Sequence, residues 1–175
     1  LPGQTMAEWQ ADIAQALALK VPHISSYGLI YEDGTPLTQW LEEGKITAMD
    51  EELEMQMYDY LVEQLTTHGY EHYEVSNFGL PGQHSQHNSS YWNDTPYLGL
   101  GAGAHSYNGK TRWWNIEDID EYMAQAMRHQ LTPEQETIRA EERHTEQVML
   151  QLRTSQGVPC QAIHMDKAQS YIAEG

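Results

Sequence analysis

The densest group of side chains able to do chemistry is His87-Asn88-Ser89-Ser90-Tyr91-Trp92, which joins an imidazole, an amide and two large aromatics. It sits in a stretch thick with Gly, Ser, Asn and His that reads as a loop from Asn77 to about Pro96. Large aromatics in a loop are costly in water unless they pack or bind something. Two readings follow. In the first, Tyr91 and Trp92 pin the loop to its scaffold and Asn88 satisfies backbone groups. In the second, the aromatics lie on a flat ligand such as a porphyrin, with His87 as an axial ligand to its iron.

The other candidates are weaker. His68 and His72 have the i, i+4 spacing of a helical metal pair, but Gly69 and Tyr70 between them mark the end of the helix. His84 and His87 share a loop with no carboxylate or thiolate at ligand spacing, and His105 follows some distance on. Gly99-Leu100-Gly101-Ala102-Gly103-Ala104 fits the dinucleotide fingerprint formally. That fingerprint needs a following helix to receive the pyrophosphate, whereas His105-Ser106-Tyr107 leads into an Asn108-Gly109 hairpin turn. The glycines then mark either a close backbone crossing or a backbone wall against a flat cofactor. No G-x-S-x-G nucleophile elbow occurs. Cys160 has no basic neighbour to activate it.

The elements that must position these groups can be read from periodicity and caps. Thr5 and Glu8 form a capping box for an amphipathic helix reaching about Lys20, with Trp9, Ile13, Ala16 and Leu17 on one face. His23 to Tyr31 reads as a strand. Thr35-Pro36 opens a short helix, and Asp50 caps a longer one that Gly69 ends. Tyr70 to Ser76 alternates like a strand, Tyr97 to Leu100 reads as another, and Ile119 to Met127 marks a helix. Leu131 to Glu136 reads as a polar linker. Helices follow at Ala140 to Arg153 and from about Pro159 to Ile172. The order suits the tail of an α/β barrel passing into a small helical domain, with too few strands to close a sheet.

Composition excludes several classes. A formal charge of −17 with nine Lys and Arg argues against nucleic acid or an anionic membrane as partner. A single cysteine rules out an internal disulfide or a multi-cysteine metal site, and points to a reducing compartment. No run approaches the roughly eighteen apolar residues of a membrane span. Leu1-Pro2-Gly3-Gln4-Thr5 is neither an initiator nor a signal peptide, so the chain reads as an internal segment of a longer protein.

Four stretches, in order and spacing, resemble the oxygen-independent coproporphyrinogen III oxidase-like radical SAM family, and within it the HemW branch. They are Leu1-Pro2-Gly3-Gln4-Thr5; His23-Ile24-Ser25-Ser26-Tyr27 with Glu32-Asp33-Gly34-Thr35-Pro36; Gly69 to Phe78 with His87-Asn88, Tyr91-Trp92 and Tyr97 to Ser106; and Met149 to Thr154 with Gly157-Val158. The H-N-x-x-Y-W motif, which separates the HemW branch from the dehydrogenases, is intact; Gly28 departs from the small polar residue or His usual there.

The resemblance implies an α/β fold: the last strands and helices of a partial (β/α) radical SAM barrel over residues 1–130, then the start of a helical C-terminal domain over 131–175. It implies S-adenosyl-L-methionine and a [4Fe–4S] cluster in the complete protein, with the cluster ligands outside this chain. Ile30 and His105 match positions that contact S-adenosylmethionine. His87, Asn88, Tyr91 and Trp92 are the expected haem contacts, His87 on the iron. The implied function is that of a cytoplasmic haem chaperone serving respiratory haem proteins. The alternative is an oxygen-independent coproporphyrinogen III dehydrogenase, and the chain alone is expected to be inactive in either case.

Overall fold

The computed structural model describes residues 1–163, 168–169 and 172–173. Two compact units emerge, Leu1–Ser85 and Gln86–Gly175.

In the first unit, α1 (Met6–Ala18) starts at the expected box: the Glu8 N–H donates to Thr5 Oγ1 and the Thr5 N–H donates to Glu8 Oε2. β1 (His23–Ser25), α2 (Pro36–Glu42) and α3 (Glu51–Thr67) follow, then β2 (Glu71–Glu74) and β3 (Asn77–Gly79). Asp50 Oδ1 caps α3 through the Leu53 N–H at 3.0 Å. Three glutamates in its first turn complement the helix dipole. Gly69 ends α3 with φ +86°, where a side chain would be strained.

The strand order is β1-β3-β2 with both pairs antiparallel. β1 and β2 therefore run the same way, joined through α2 and α3, with β3 inserted between them. The core is Ile13 of α1, Leu61 and Leu65 of α3, Tyr70 and Phe78, with Leu65 and Phe78 fully buried. Trp9 Nε1 donates to the Met57 carbonyl and ties α1 to α3.

Two expectations change here. Only His23–Ser25 of the stretch to Tyr31 is strand, because β3 offers three partners before Leu80 turns back to the Pro22 carbonyl. The expected loop from Asn77 begins instead with a fully buried strand. Its Phe78 ring stacks on His72 at 4.4 Å, and its Asn77 Oδ1 accepts from Ser25 Oγ at 2.5 Å.

In the second unit, α4 (Gln86–Trp92) is followed by β4 (His105–Tyr107), β5 (Thr111–Trp114), α5 (Ile119–Met127), β6 (Glu134–Thr137) and α6 (Ala140–Gln151). The β4–β5 hairpin turns at Asn108-Gly109 as expected; Gly109 has φ +90°, and Asn108 Oδ1 accepts from the Lys110 and Thr111 N–H groups. Tyr97 to Leu100 contributes only a bridge from Tyr97 to Tyr107. The second half of the expected linker from Leu131 to Glu136 belongs instead to β6, Glu134–Thr137, the third strand of an antiparallel sheet in the order β4-β5-β6. All four of its residues are exposed, so no apolar alternation announces it. In the stretch expected as helix from about Pro159 to Ile172, Cys160–Ala162 is a 3₁₀ turn, residues 168–169 and 172 are helical, and residues 164–167 and 170–171 lie outside the described residues.

Candidate functional site

α4 converts the H-N-x-x-Y-W stretch from an expected loop into two helical turns, so His87 and Tyr91 fall on one face. Their rings meet edge-on at 5.2 Å and 86°, with Tyr91 Oη 3.4 Å from His87 Nε2. Asn88 is half-buried and already engaged in an interaction. Trp92 closes the helix beneath the Arg153 guanidinium, 5.1 Å above its ring, a cation–π contact. Its indole N–H is buried without a hydrogen-bond partner among the described residues, a state that costs about 1–3 kcal/mol.

Tyr91 and Trp92 line a 620 Å³ cleft within this unit together with Tyr97, His105, Tyr107 and Trp114, and the charged Asp94, Arg112, Glu136 and Glu146 share that lining. That volume is in the range of small-molecule and cofactor sites. The tyrosines are in ring contact in series, Tyr91 to Tyr97 at 5.4 Å and Tyr97 to Tyr107 at 6.1 Å. His105 is exposed and stacks on Trp114 at 5.5 Å. His87 is exposed and does not itself line the cleft. The structure thus brings Tyr91, Trp92 and His105 to one cavity. It holds His87 one helical turn away, on Tyr91.

The same cleft holds a charged network that the sequence reading missed. Asp94 accepts from Tyr107 Oη at 2.5 Å, from Gln147 Nε2 at 3.2 Å and from the Arg143 guanidinium. Arg112 of β5 bridges Glu136 of β6 at 3.2 Å and Glu146 of α6 at 3.1 Å. Burial pushes the Asp94 carboxyl up, but the hydrogen bonds from Tyr107, Arg143 and Gln147 outweigh it and hold the group below its usual range. Burial, joined by the hydrogen bond to Asp94, pushes the Tyr107 phenol up to about 12. Arg143 and Gln147 are four apart on one face of α6, the one signal in the sequence that they act together.

Gly99 explains part of the glycine-rich run. A Cβ there would overlap the His105 carbonyl, lying 2.8 Å from its carbon, and the Gly99 N–H donates to the buried Ser106 Oγ at 2.9 Å. This is the close backbone crossing, and it leads into β4 rather than a helix. Gly101 and Gly103 take φ +114° and +66°, and Asn115 Nδ2 holds the Gly101 carbonyl at 2.9 Å.

The remaining candidates are dispersed. Ile30 is in the first unit and exposed, while its neighbours Tyr27, Leu29 and Tyr31 line a separate 660 Å³ cleft there. His68 ends α3, donating Nδ1–H to the Gln64 carbonyl, and His72 packs on Phe78. His84 pairs with Glu71 at 2.6 Å. Among the described residues no group of three or more His, Cys, Asp or Glu could hold a metal ion, and Cys160 is exposed.

No protein-family model matches the chain. It is 39% identical to the heme chaperone HemW of Lactococcus lactis subsp. lactis over 158 residues, 90% of this chain and 41% of that protein. It is 33% identical to the heme chaperone HemW of Mycobacterium tuberculosis over 179 residues, 99% of this chain and 46% of that protein. Among solved structures, the coproporphyrinogen III oxidase HemN of Escherichia coli, a radical SAM enzyme, superposes with a TM-score of 0.67 at 16% identity, over 88% of this chain and 38% of that one. The chain belongs to the HemW/HemN-like radical SAM family.

Its fold is mixed α/β with small sheets, and HemN shares it over the matched part. Radical SAM family membership extends to a mitochondrial radical S-adenosyl methionine domain-containing protein 1 of Danio rerio, 39% identical over 105 residues, 60% of this chain and 24% of that protein. The chain spans less than half the length of the HemW relatives it matches. A [4Fe–4S] cluster does not fit the residues present, since it needs several thiolates and the chain has Cys160 alone. No described helix is long and apolar enough to cross a membrane.

Proposed function

We propose that the complete protein is a cytoplasmic haem chaperone that binds haem through the second unit and delivers it to respiratory haem proteins. The observation that carries this reading is the placement of Tyr91 and Trp92 on the wall of an aromatic cleft, with His87 one turn away on the same helix. A neutral imidazole is a good haem ligand, and the aromatic faces add apolar contact with the macrocycle. Tyr91 Oη, in reach of His87 Nε2, orients the ring and is the first group the iron must displace or bypass. Asn88 lies on the same helix and is expected to contact the haem beside His87. The names of the HemW relatives support the same reading.

On this proposal residues 1–130 belong to the barrel part and 131–175 to the start of the C-terminal domain. S-adenosylmethionine and the cluster are bound by the complete protein, with Ile30 and His105 as S-adenosylmethionine contacts and the cluster ligands elsewhere. When bound, that pair supplies one-electron chemistry; this chain contributes none of the cluster ligands. The fold shared with HemN is compatible with the rival, a coproporphyrinogen III dehydrogenase.

The deciding experiment mixes haem-loaded complete protein with an apo respiratory cytochrome and follows haem transfer spectroscopically, alongside an assay for coproporphyrinogen III conversion. Transfer without conversion is the expected outcome. Conversion at enzymatic turnover overturns the chaperone reading.

A further inference from the structure

The cleft of the second unit carries a charge pattern that its aromatic walls do not require. Asp94, Glu136 and Glu146 line it together with one guanidinium, Arg112. Both Glu136 and Glu146 are held by Arg112, and Asp94 is held by Tyr107, Gln147 and Arg143. Counting Arg143 behind the wall, three carboxylates face two guanidiniums, and each of those guanidiniums is already paired. A further carboxylate pressed into this wall is desolvated beside like charges, with no cation left to receive it. Arg153 stands apart from the network. It is exposed, lies over the Trp92 ring, and has no carboxylate within ion-pair distance among the described residues.

We infer that this cleft selects a porphyrin with two adjacent carboxylate-free pyrroles, admitting that half of the ring against Tyr91, Tyr97 and Trp114 and keeping the carboxylate edge beside Arg153. The inference rests on the haem-binding reading above and adds the chemistry by which one ring is chosen over another. Haem and protoporphyrin IX carry their two propionates together on one edge, with only methyl and vinyl groups opposite. Coproporphyrin III carries a propionate on every pyrrole, so even the edge where two of its methyls meet has a propionate at each corner, and any two adjacent pyrroles it inserts bring two carboxylates towards Asp94, Glu136 and Glu146. The selection works by penalising the wrong ring, since the right one gains nothing from the acidic wall. It also separates the two readings of the function at the level of binding, because the rival needs the tetracarboxylate ring to enter.

The test is a set of titrations of the complete protein with haem, metal-free protoporphyrin IX, its dimethyl ester, and coproporphyrin III. Protoporphyrin IX is expected to bind at least about tenfold more tightly than coproporphyrin III. Replacing Glu136→Gln and Glu146→Gln together is expected to close that gap to about threefold or less, because coproporphyrin III gains more from the change than protoporphyrin IX does. Arg153→Gln is expected to weaken protoporphyrin IX by about threefold and to leave its dimethyl ester unaffected. Equal affinity of the unmodified protein for the two acids overturns the selection while leaving haem binding intact, and needs no variant to fold. An unchanged gap in the double variant overturns the role of the acidic wall, and unchanged acid binding in Arg153→Gln overturns that of Arg153. Failure to bind any of the four ligands overturns the haem reading itself and this inference with it.

Discussion

The phenol of Tyr107, on the hairpin strand β4, donates to the carboxylate of Asp94, two residues past α4, at 2.5 Å. Tyr107 is buried, and the same carboxylate receives Arg143 and Gln147 from α6, so one side chain gathers three elements of the second unit. Truncating Asp94→Ala leaves the buried hydroxyl without its acceptor. We expect a loss of about 2 kcal/mol, against about 1 kcal/mol for Tyr107→Phe, which removes donor and demand together. Urea unfolding of both variants checks the order; equal, negligible losses contradict the latch.

The same pair has a pH signature. The Asp94 pKa is lowered from 3.8, so its contribution is whole above that value and is lost as pH falls through the lower folded one. Tyr107 is raised from 10.0 to about 12, so its contribution is whole below pH 10 and is lost as pH rises through 12. Among eleven tyrosines one should ionise last in an alkaline absorbance titration, and Tyr107→Phe should remove that final step. Persistence of the step in the variant would assign it to another tyrosine.

Gly99→Ala sets a Cβ against the His105 carbonyl, where both partners are backbone and neither gives way easily. The expected loss exceeds about 2 kcal/mol, with the β4 edge of the cleft displaced. Gly101→Ala meets no atom within 4 Å and should cost only the strain of its positive φ, about 1 kcal/mol. Thermal unfolding of the two, compared side by side, separates crowding from strain.

These positions show where the sequence was legible. Caps are local, so Thr5 with Glu8, Thr35 before Pro36, and Asp50 before α3 announced their helices correctly. The strands β3 and β6 were hidden for opposite reasons. β3 is three residues long, two of them Asn and Gly, while β6 is wholly polar and exposed. Within the site, the motif on α4 stood out because its aromatics are contiguous. Asp94 and Arg143 did not, being 49 residues apart and joined only by the fold. Gly99 had two readings open in the sequence, and only the His105 backbone beside it decides for the crossing.

With Cys160 as its one thiol, the chain is expected to take up no stoichiometric [4Fe–4S] cluster on anaerobic reconstitution with iron and sulfide. The characteristic visible absorption of a reconstituted cluster, at one per chain, would contradict this.

The role given to His87 stands or falls on a haem titration of the complete protein followed through its Soret band, in unmodified form and as His87→Ala. We expect saturable binding of the unmodified protein. In the variant we expect affinity lower by about tenfold or more and a shifted band, from the loss of the iron ligand beside Tyr91. Identical spectra and affinities in the two proteins would place the iron elsewhere and leave His87 an ordinary surface histidine.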